Sequence, residues 1–221
     1  MTDSHSLVEK KREALTQGII ELAGLVDTAL RTSLDALRRQ DLGVAEEIVG
    51  GDTLINRGRR VLEQQAMVVL AAHQPAARDF RLIGASLEMI TEIERIADHA
   101  ADVARILLIA NGRRFPEVPL AKVLEMGDAA AAMFRDVMAA YAEGARADSA
   151  RAAVLRENAV DAQERSIIED VAAWLCQGPR APMLGVELLW IAHHYERIAD
   201  RATNIAERVV YIETGETPDL D

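Results

Sequence analysis

Near the end of the chain, Leu184, Leu188, Ile191, Tyr195, Ile198, Ala202, Ile205, Val209 and Ile212 recur at alternating steps of four and three. This spacing keeps an apolar stripe on one side of an α-helix and suits shallow-angle packing in a bundle. Elsewhere, segments poor in proline and rich in Ala, Leu, Arg and Glu follow one another. They predict six long helices at about 6–39, 42–73, 76–110, 118–143, 149–177 and 180–214. A helix of 30 residues runs about 45 Å, so the bundle should be elongated.

The breaks between segments carry their own chemistry. Asp41 is placed to cap the second helix, and Gln74-Pro75 should end it, because proline disfavours the helical state in the residue before it. Asn111-Gly112 reads as a stop, with Pro116 and Pro119 in the loop beyond. Gly144 ends the fourth segment, Asp148-Ser149 offers a cap for the fifth, Gly178-Pro179 closes it, and Gly215 with Pro218 marks a polar tail. Val, Ile and Thr runs with period-two alternation are absent, so the expected fold is all-α.

The third and sixth segments repeat one another. Glu94-Arg95-Ile96-Ala97-Asp98-His99-Ala100-Ala101-Asp102-Val103-Ala104 aligns with Glu196-Arg197-Ile198-Ala199-Asp200-Arg201-Ala202-Thr203-Asn204-Ile205-Ala206, with 7 of 11 positions identical at an offset of 102 residues. Identity extends to charged positions, which chance similarity between alanine-rich helices would not produce. The economical architecture is two similar three-helix bundles in tandem, residues 1–113 and 114–221.

Composition narrows the function. Against 36 acidic side chains stand 25 basic ones, a formal net charge of −11, which opposes contact with phosphate backbones and argues against nucleic acid as a partner. The single cysteine, Cys176, rules out an internal disulfide framework and reads as a small half-buried hydrophobe. The first residues show no secretory signal, and apolar stretches such as Ala66–Ala72 fall far short of the roughly 20 residues that span a bilayer. A soluble, cytoplasmic protein is expected. No strand precedes a glycine-rich loop and no nucleophile arrangement stands out, so the chain does not read as an enzyme.

The repeated blocks carry the candidate chemistry. Glu94, Asp98 and Asp102 are spaced by four, as are Glu196, Asp200 and Asn204. At about 100° per residue, with Tyr195 at zero, Glu196, Asp200 and Asn204 fall near roughly 100°, 140° and 180°, opposite the apolar stripe. Like charges at this spacing repel, so a cation should compensate them. It could be a metal, since oxygen ligands suit hard ions, or the nearby Arg95, Arg105, Arg197 and Arg201. Inward-facing Glu-x-x-His motifs of a buried di-iron site are missing; His193-x-x-Glu196 has the reverse order, and the histidines read as surface or packing residues.

Tyr195-Glu196-Arg197-Ile198-Ala199-Asp200-Arg201-Ala202-Thr203-Asn204-Ile205-Ala206-Glu207, continuing through Val210-Tyr211 to Thr214-Gly215-Glu216, resembles the C-terminal signature of the PhoU-like phosphate-uptake regulators. The block from Glu94 resembles that family's internal repeat, and Gln74-Pro75-Ala76-Ala77-Arg78-Asp79-Phe80-Arg81 its turn into the third helix. The resemblance implies two three-helix bundles in a cytoplasmic protein that often dimerises. It also implies a negative regulator, active when phosphate is plentiful, that links a phosphate ABC transporter to a membrane sensor histidine kinase. Membrane association would then be indirect only.

Some members of that family carry metal ions or iron clusters through Glu/Asp-x-x-x-Asp motifs. Carried over, these are Glu94-x-x-x-Asp98, extended by Asp102, and Glu196-x-x-x-Asp200, with Asp52-x-x-x-Asn56 and Glu157-x-x-x-Asp161 as companions. Surface ions (Fe, Zn, Mg or Mn) are the implied cofactors. The Arg78-Asp79-Phe80-Arg81 pattern has no counterpart after Pro179, so the two halves need not bind alike. The alternative functions are metal storage and a helical scaffold detached from phosphate control.

Overall fold

The computed structural model describes residues 2–73, 77–178 and 181–220, except for the side chains of 2–8, 52, 72–73 and 78. The expected breaks at Gln74-Pro75 and Pro179 lie outside the described residues. The chain forms α1 (Thr2–Arg39), α2 (Leu42–His73), α3 (Ala77–Ala110), α4 (Glu117–Ala142), α5 (Ala147–Ala153), α6 (Glu157–Cys176) and α7 (Met183–Thr214). Among the described residues there is no strand.

Local chemistry explains most of the ends. Asp41 Oδ1 accepts hydrogen bonds from the N–H groups of Gly43 (3.0 Å) and Val44 (3.2 Å), satisfying two donors at the start of α2. Asn111 (φ +49°) and Gly112 (φ +77°) turn the chain out of α3. Gly215 closes α7 in the left-handed conformation (φ +81°), its N–H bonded to Tyr211 O at 2.9 Å.

Four expectations are corrected. The fifth segment is not one helix: a 3-10 turn at Val154–Arg156 separates α5 from α6. Neither proline nor glycine marks that break, so spacing alone could not reveal it. Asp148 and Ser149 do not cap α5, which begins at Ala147 with no cap from Arg146. Glu213 on α7 reaches across instead, and its Oε2 accepts the Ala147 N–H at 2.5 Å. Pro119 lies within the first turn of α4, where a missing N–H costs nothing, and α7 starts at Met183 just after Pro182.

All nine residues of the apolar stripe on α7 are buried. Within the first bundle α1, α2 and α3 pack on one another, and within the second α7 packs on α4, α5 and α6. The bundles meet where α3 lies along α7 and α1 along α4, so each contacting helix touches its own counterpart in the duplication. One continuous apolar core therefore runs through both halves, with Tyr195, Phe134 and Tyr141 among its largest buried side chains. At about 1.5–3 kcal/mol for each fully buried large aliphatic side chain, this core fixes the helices that carry the polar groups described next.

Candidate metal centre

The acidic residues of the repeats do not stand on the outward face of their helices. Glu196 and Asp200 are only 17% and 24% exposed at the side chain, and Glu94 only 12%. The reason is that α7 is buried on two sides. Beside the aliphatic stripe, Ala192, Ala199, Thr203, Ala206 and Val210 are buried too, which brings Glu196 to the edge of the packed sector. Mostly small residues make this second contact, which the spacing of large apolar positions does not reveal.

In the second bundle the carboxylates of α6 and α7 converge. Glu196 is pushed up to about 7, chiefly by burial and then by the charge of Asp200, with Glu164 and Asp161 adding to the repulsion and Arg197 opposing it. Glu196 Oε2 is buried and accepts no hydrogen bond. His193 Nδ1 lies 3.4 Å from that oxygen and 3.6 Å from Glu164 Oε1. One donor atom each from Glu164, His193 and Glu196 thus falls within 4.8 Å of the others. Arg197 pairs with Asp200. Glu157, one helical turn before Asp161, is buried at 7% exposure.

The first bundle balances its charge differently. Arg59 on α2 places Nε 3.3 Å from Glu94 Oε1 and also bonds Glu63 at 3.1 Å, so a guanidinium faces the stripe from the neighbouring helix. Asp98 lies half-buried one turn beyond Glu94. The Asp52 side chain, the expected companion, lies outside the described residues. An arginine thus stands by each stripe, Arg59 at Glu94 and Arg197 at Asp200, but only the second also gathers further carboxylates and an imidazole around its glutamate.

Asp102 leaves its stripe altogether. It faces the second bundle, with Oδ1 bonded to Arg105 Nη1 at 2.5 Å and Oδ2 3.9 Å from His194 Nδ1 on α7. Asn204, its counterpart, likewise turns away and donates to Glu92 Oε2 on α3 at 3.2 Å. His194 is half-buried, as a packing residue would be, and His99 Nδ1 stands 3.1 Å from its Nδ1. The His99-x-x-Asp102 spacing was the one signal in the sequence that could have drawn attention to this cluster.

The geometry defines a class: a duplicated helical bundle whose halves join through their equivalent helices and carry a half-buried acidic stripe in each repeat. The PhoU domain model matches residues 19–107 and 123–209, and the chain belongs to the PhoU family. It is 30% identical over 99% of its length to a phosphate-specific transport system accessory protein PhoU homolog from Rhizobium meliloti, covering 92% of that protein. It is 26% identical to the homolog from Clostridium acetobutylicum, covering 99% of both chains. The crystal structure of PhoU from Pseudomonas aeruginosa superposes with a TM-score of 0.90 at 27% identity, over 94% of this chain and 99% of that one. The phosphate transport system regulatory protein PhoU from Streptococcus pneumoniae gives 0.88 at 27% identity, over 96% and 99%.

Proposed function

We propose that this chain is a cytoplasmic regulator of phosphate-specific transport that works by protein contact. It restrains uptake and the starvation response when phosphate is abundant, by joining the phosphate ABC transporter to a sensor histidine kinase. The observation that carries this reading is the match of both halves to one family whose relatives are named accessory proteins of phosphate-specific transport systems. Among the described residues no helix is long and apolar enough to cross a membrane, which is consistent with attachment through a transporter. An effector shifts a partner's equilibrium only by binding its states unequally, so the protein stabilises one conformation of kinase or transporter. A homodimer would present that surface twice.

The residues of the second bundle fit a bound cation. Glu196 Oε2 is a buried oxygen without a hydrogen bond, surrounded by Asp200, Glu164 and Asp161, and burial has raised its proton affinity in the absence of a positive neighbour strong enough to offset it. Glu196, Asp200, Asp161, Glu164 and His193 would hold the ion, with Glu157 close by on α6. The imidazole favours manganese, iron or zinc over magnesium. When bound, such an ion supplies positive charge that relieves the carboxylate repulsion and ties α6 to α7. In the first bundle Glu94 and Asp98, with Arg59 already beside them, form the weaker candidate.

Purified full-length protein, loaded with Mn2+ or stripped with chelator, should bind the detergent-solubilised transporter or the cytoplasmic part of the kinase. Glu94→Ala, Asp98→Ala, Glu196→Ala and Asp200→Ala together should abolish that binding while helical content is retained. Undiminished binding by the folded quadruple variant would contradict the surface assignment, and binding to neither partner would contradict the adaptor reading.

A further inference from the structure

The duplication supplies an internal comparison at the seam between the bundles. Shifting by 102 residues converts Glu92, His99 and Asp102 into His194, Arg201 and Asn204. On one side of the pseudo-twofold, Arg201 Nη1 and Asn204 Nδ2 both bond Glu92 Oε2 at 3.2 Å, a conventional ion pair with an amide. On the other side the same three positions hold His99, His194 and Asp102. The fixed charges of arginine and glutamate are both replaced by imidazole, and the amide by a carboxylate.

We propose that His99, Asp102 and His194 form a binding site for one zinc-class divalent transition metal, which clamps α3 to α7 and so holds the two bundles together. The donor atoms already converge. His99 Nδ1 and His194 Nδ1 are 3.1 Å apart, and nitrogens bound tetrahedrally to zinc at about 2.0–2.1 Å lie about 3.3 Å from one another. The rings are tilted by 48° rather than stacked, and one donor atom from each of the three residues lies within 4.8 Å of the others. Arg105 acts as a positioning residue. By holding Asp102 Oδ1 at 2.5 Å it leaves Oδ2 turned toward His194.

The surroundings suit ligation as well, since both imidazoles are half-buried between α3 and α7. The cations that approach His99 are engaged elsewhere, Arg201 with Glu92 and Arg197 with Asp200. Two imidazoles and one carboxylate leave a fourth position for water, and this set favours zinc, cobalt, nickel or copper over magnesium or calcium. The proposal stands apart from that centre and from the regulatory reading.

Chelator-treated full-length protein titrated with Co2+ should take up one equivalent with the intense visible d–d absorption of a tetrahedral nitrogen-containing site, and Zn2+ should displace it. The variant H99R/D102N/H194E rebuilds the arrangement found across the pseudo-twofold, so it should fold with unchanged circular dichroism and lose about 100-fold or more in Co2+ affinity at this site. His194→Gln alone should abolish the tetrahedral spectrum, and E196Q/D200N should keep it. No tetrahedral band in the wild-type protein would overturn the proposal. So would a band that survives either histidine variant, or one that disappears in E196Q/D200N.

Discussion

Replacing Glu196 by Gln should stabilise the metal-free protein at alkaline pH. In the folded chain the Glu196 carboxyl is raised from 4.5 to about 7, first by burial and then by Asp200. The folded state therefore holds a proton on this group more tightly than the unfolded state does. Stability from this source is fully present below about pH 4.5 and is lost as the pH rises through about 7. At about 1.36 kcal/mol per pKa unit, the loss amounts to about 3 kcal/mol once the group is ionised in both states. Gln is isosteric and cannot ionise, so it escapes the penalty. Urea unfolding of chelator-treated wild-type and E196Q protein isolates the effect, because titration of every other group largely cancels in the difference. That difference should move in favour of E196Q by about 3 kcal/mol between pH 4 and pH 8. Saturating Mn2+ at pH 8 should reverse the order, since an ion stabilises more the variant that ligates it more tightly. A difference that stays flat with pH, or wild-type protein that is the more stable at pH 8 without metal, would refute the reasoning.

Other perturbations test the frame that holds the site. Asp41→Ala removes the cap bonded to Gly43 and Val44 and should cost about 1 kcal/mol, seen as a thermal midpoint lower by about 3 °C; an unchanged midpoint would show the cap to be idle. Gly127→Ala sets helix propensity against packing: Ala gains about 1 kcal/mol in an open helix. Here its Cβ would come 2.5 Å from Leu34 Cδ2 and 3.0 Å from the Tyr195 ring. Denaturant unfolding should thus show a net loss of about 1–3 kcal/mol, and a gain would mean that α4 does not approach α1 and α7 this closely. Arg59→Ala deprives half-buried Glu94 of its guanidinium and should destabilise by about 1–3 kcal/mol, with most of the loss recovered in R59A/E94Q; a neutral R59A would show that the pair contributes nothing.

The helices were legible because each is long and strongly patterned, and because Asp41, Asn111-Gly112, Gly144 and Gly215 write their ends in local chemistry. The duplication was legible in the Glu94 and Glu196 blocks, and the nine-residue stripe of α7 named its core face correctly. What spacing missed depends on distant residues. The cap on α5 comes from Glu213, 66 positions away. The 3-10 turn at Val154–Arg156 has no local breaker. Spacing sets the carboxylates opposite the aliphatic stripe, but Ala192, Ala199, Thr203, Ala206 and Val210 bury a second face of α7 beside them, and mostly small residues of this kind add little to a hydrophobic period. That only the second half adds a carboxylate–imidazole cluster to its arginine was open in the sequence, where both arginines and metals remained available. His99 and His194 lie 95 positions apart, so only the packing of α3 against α7 makes them neighbours.

The central claim is that this chain restrains phosphate uptake when phosphate is abundant. The most direct test is the rate of phosphate uptake, with secreted or periplasmic phosphatase activity alongside, in cells deleted for this protein and grown in high phosphate. Both should rise severalfold and return to the parental level when the wild-type chain is restored. Uptake and phosphatase activity indistinguishable from the parent, in cells with no second copy of the family, would contradict the claim.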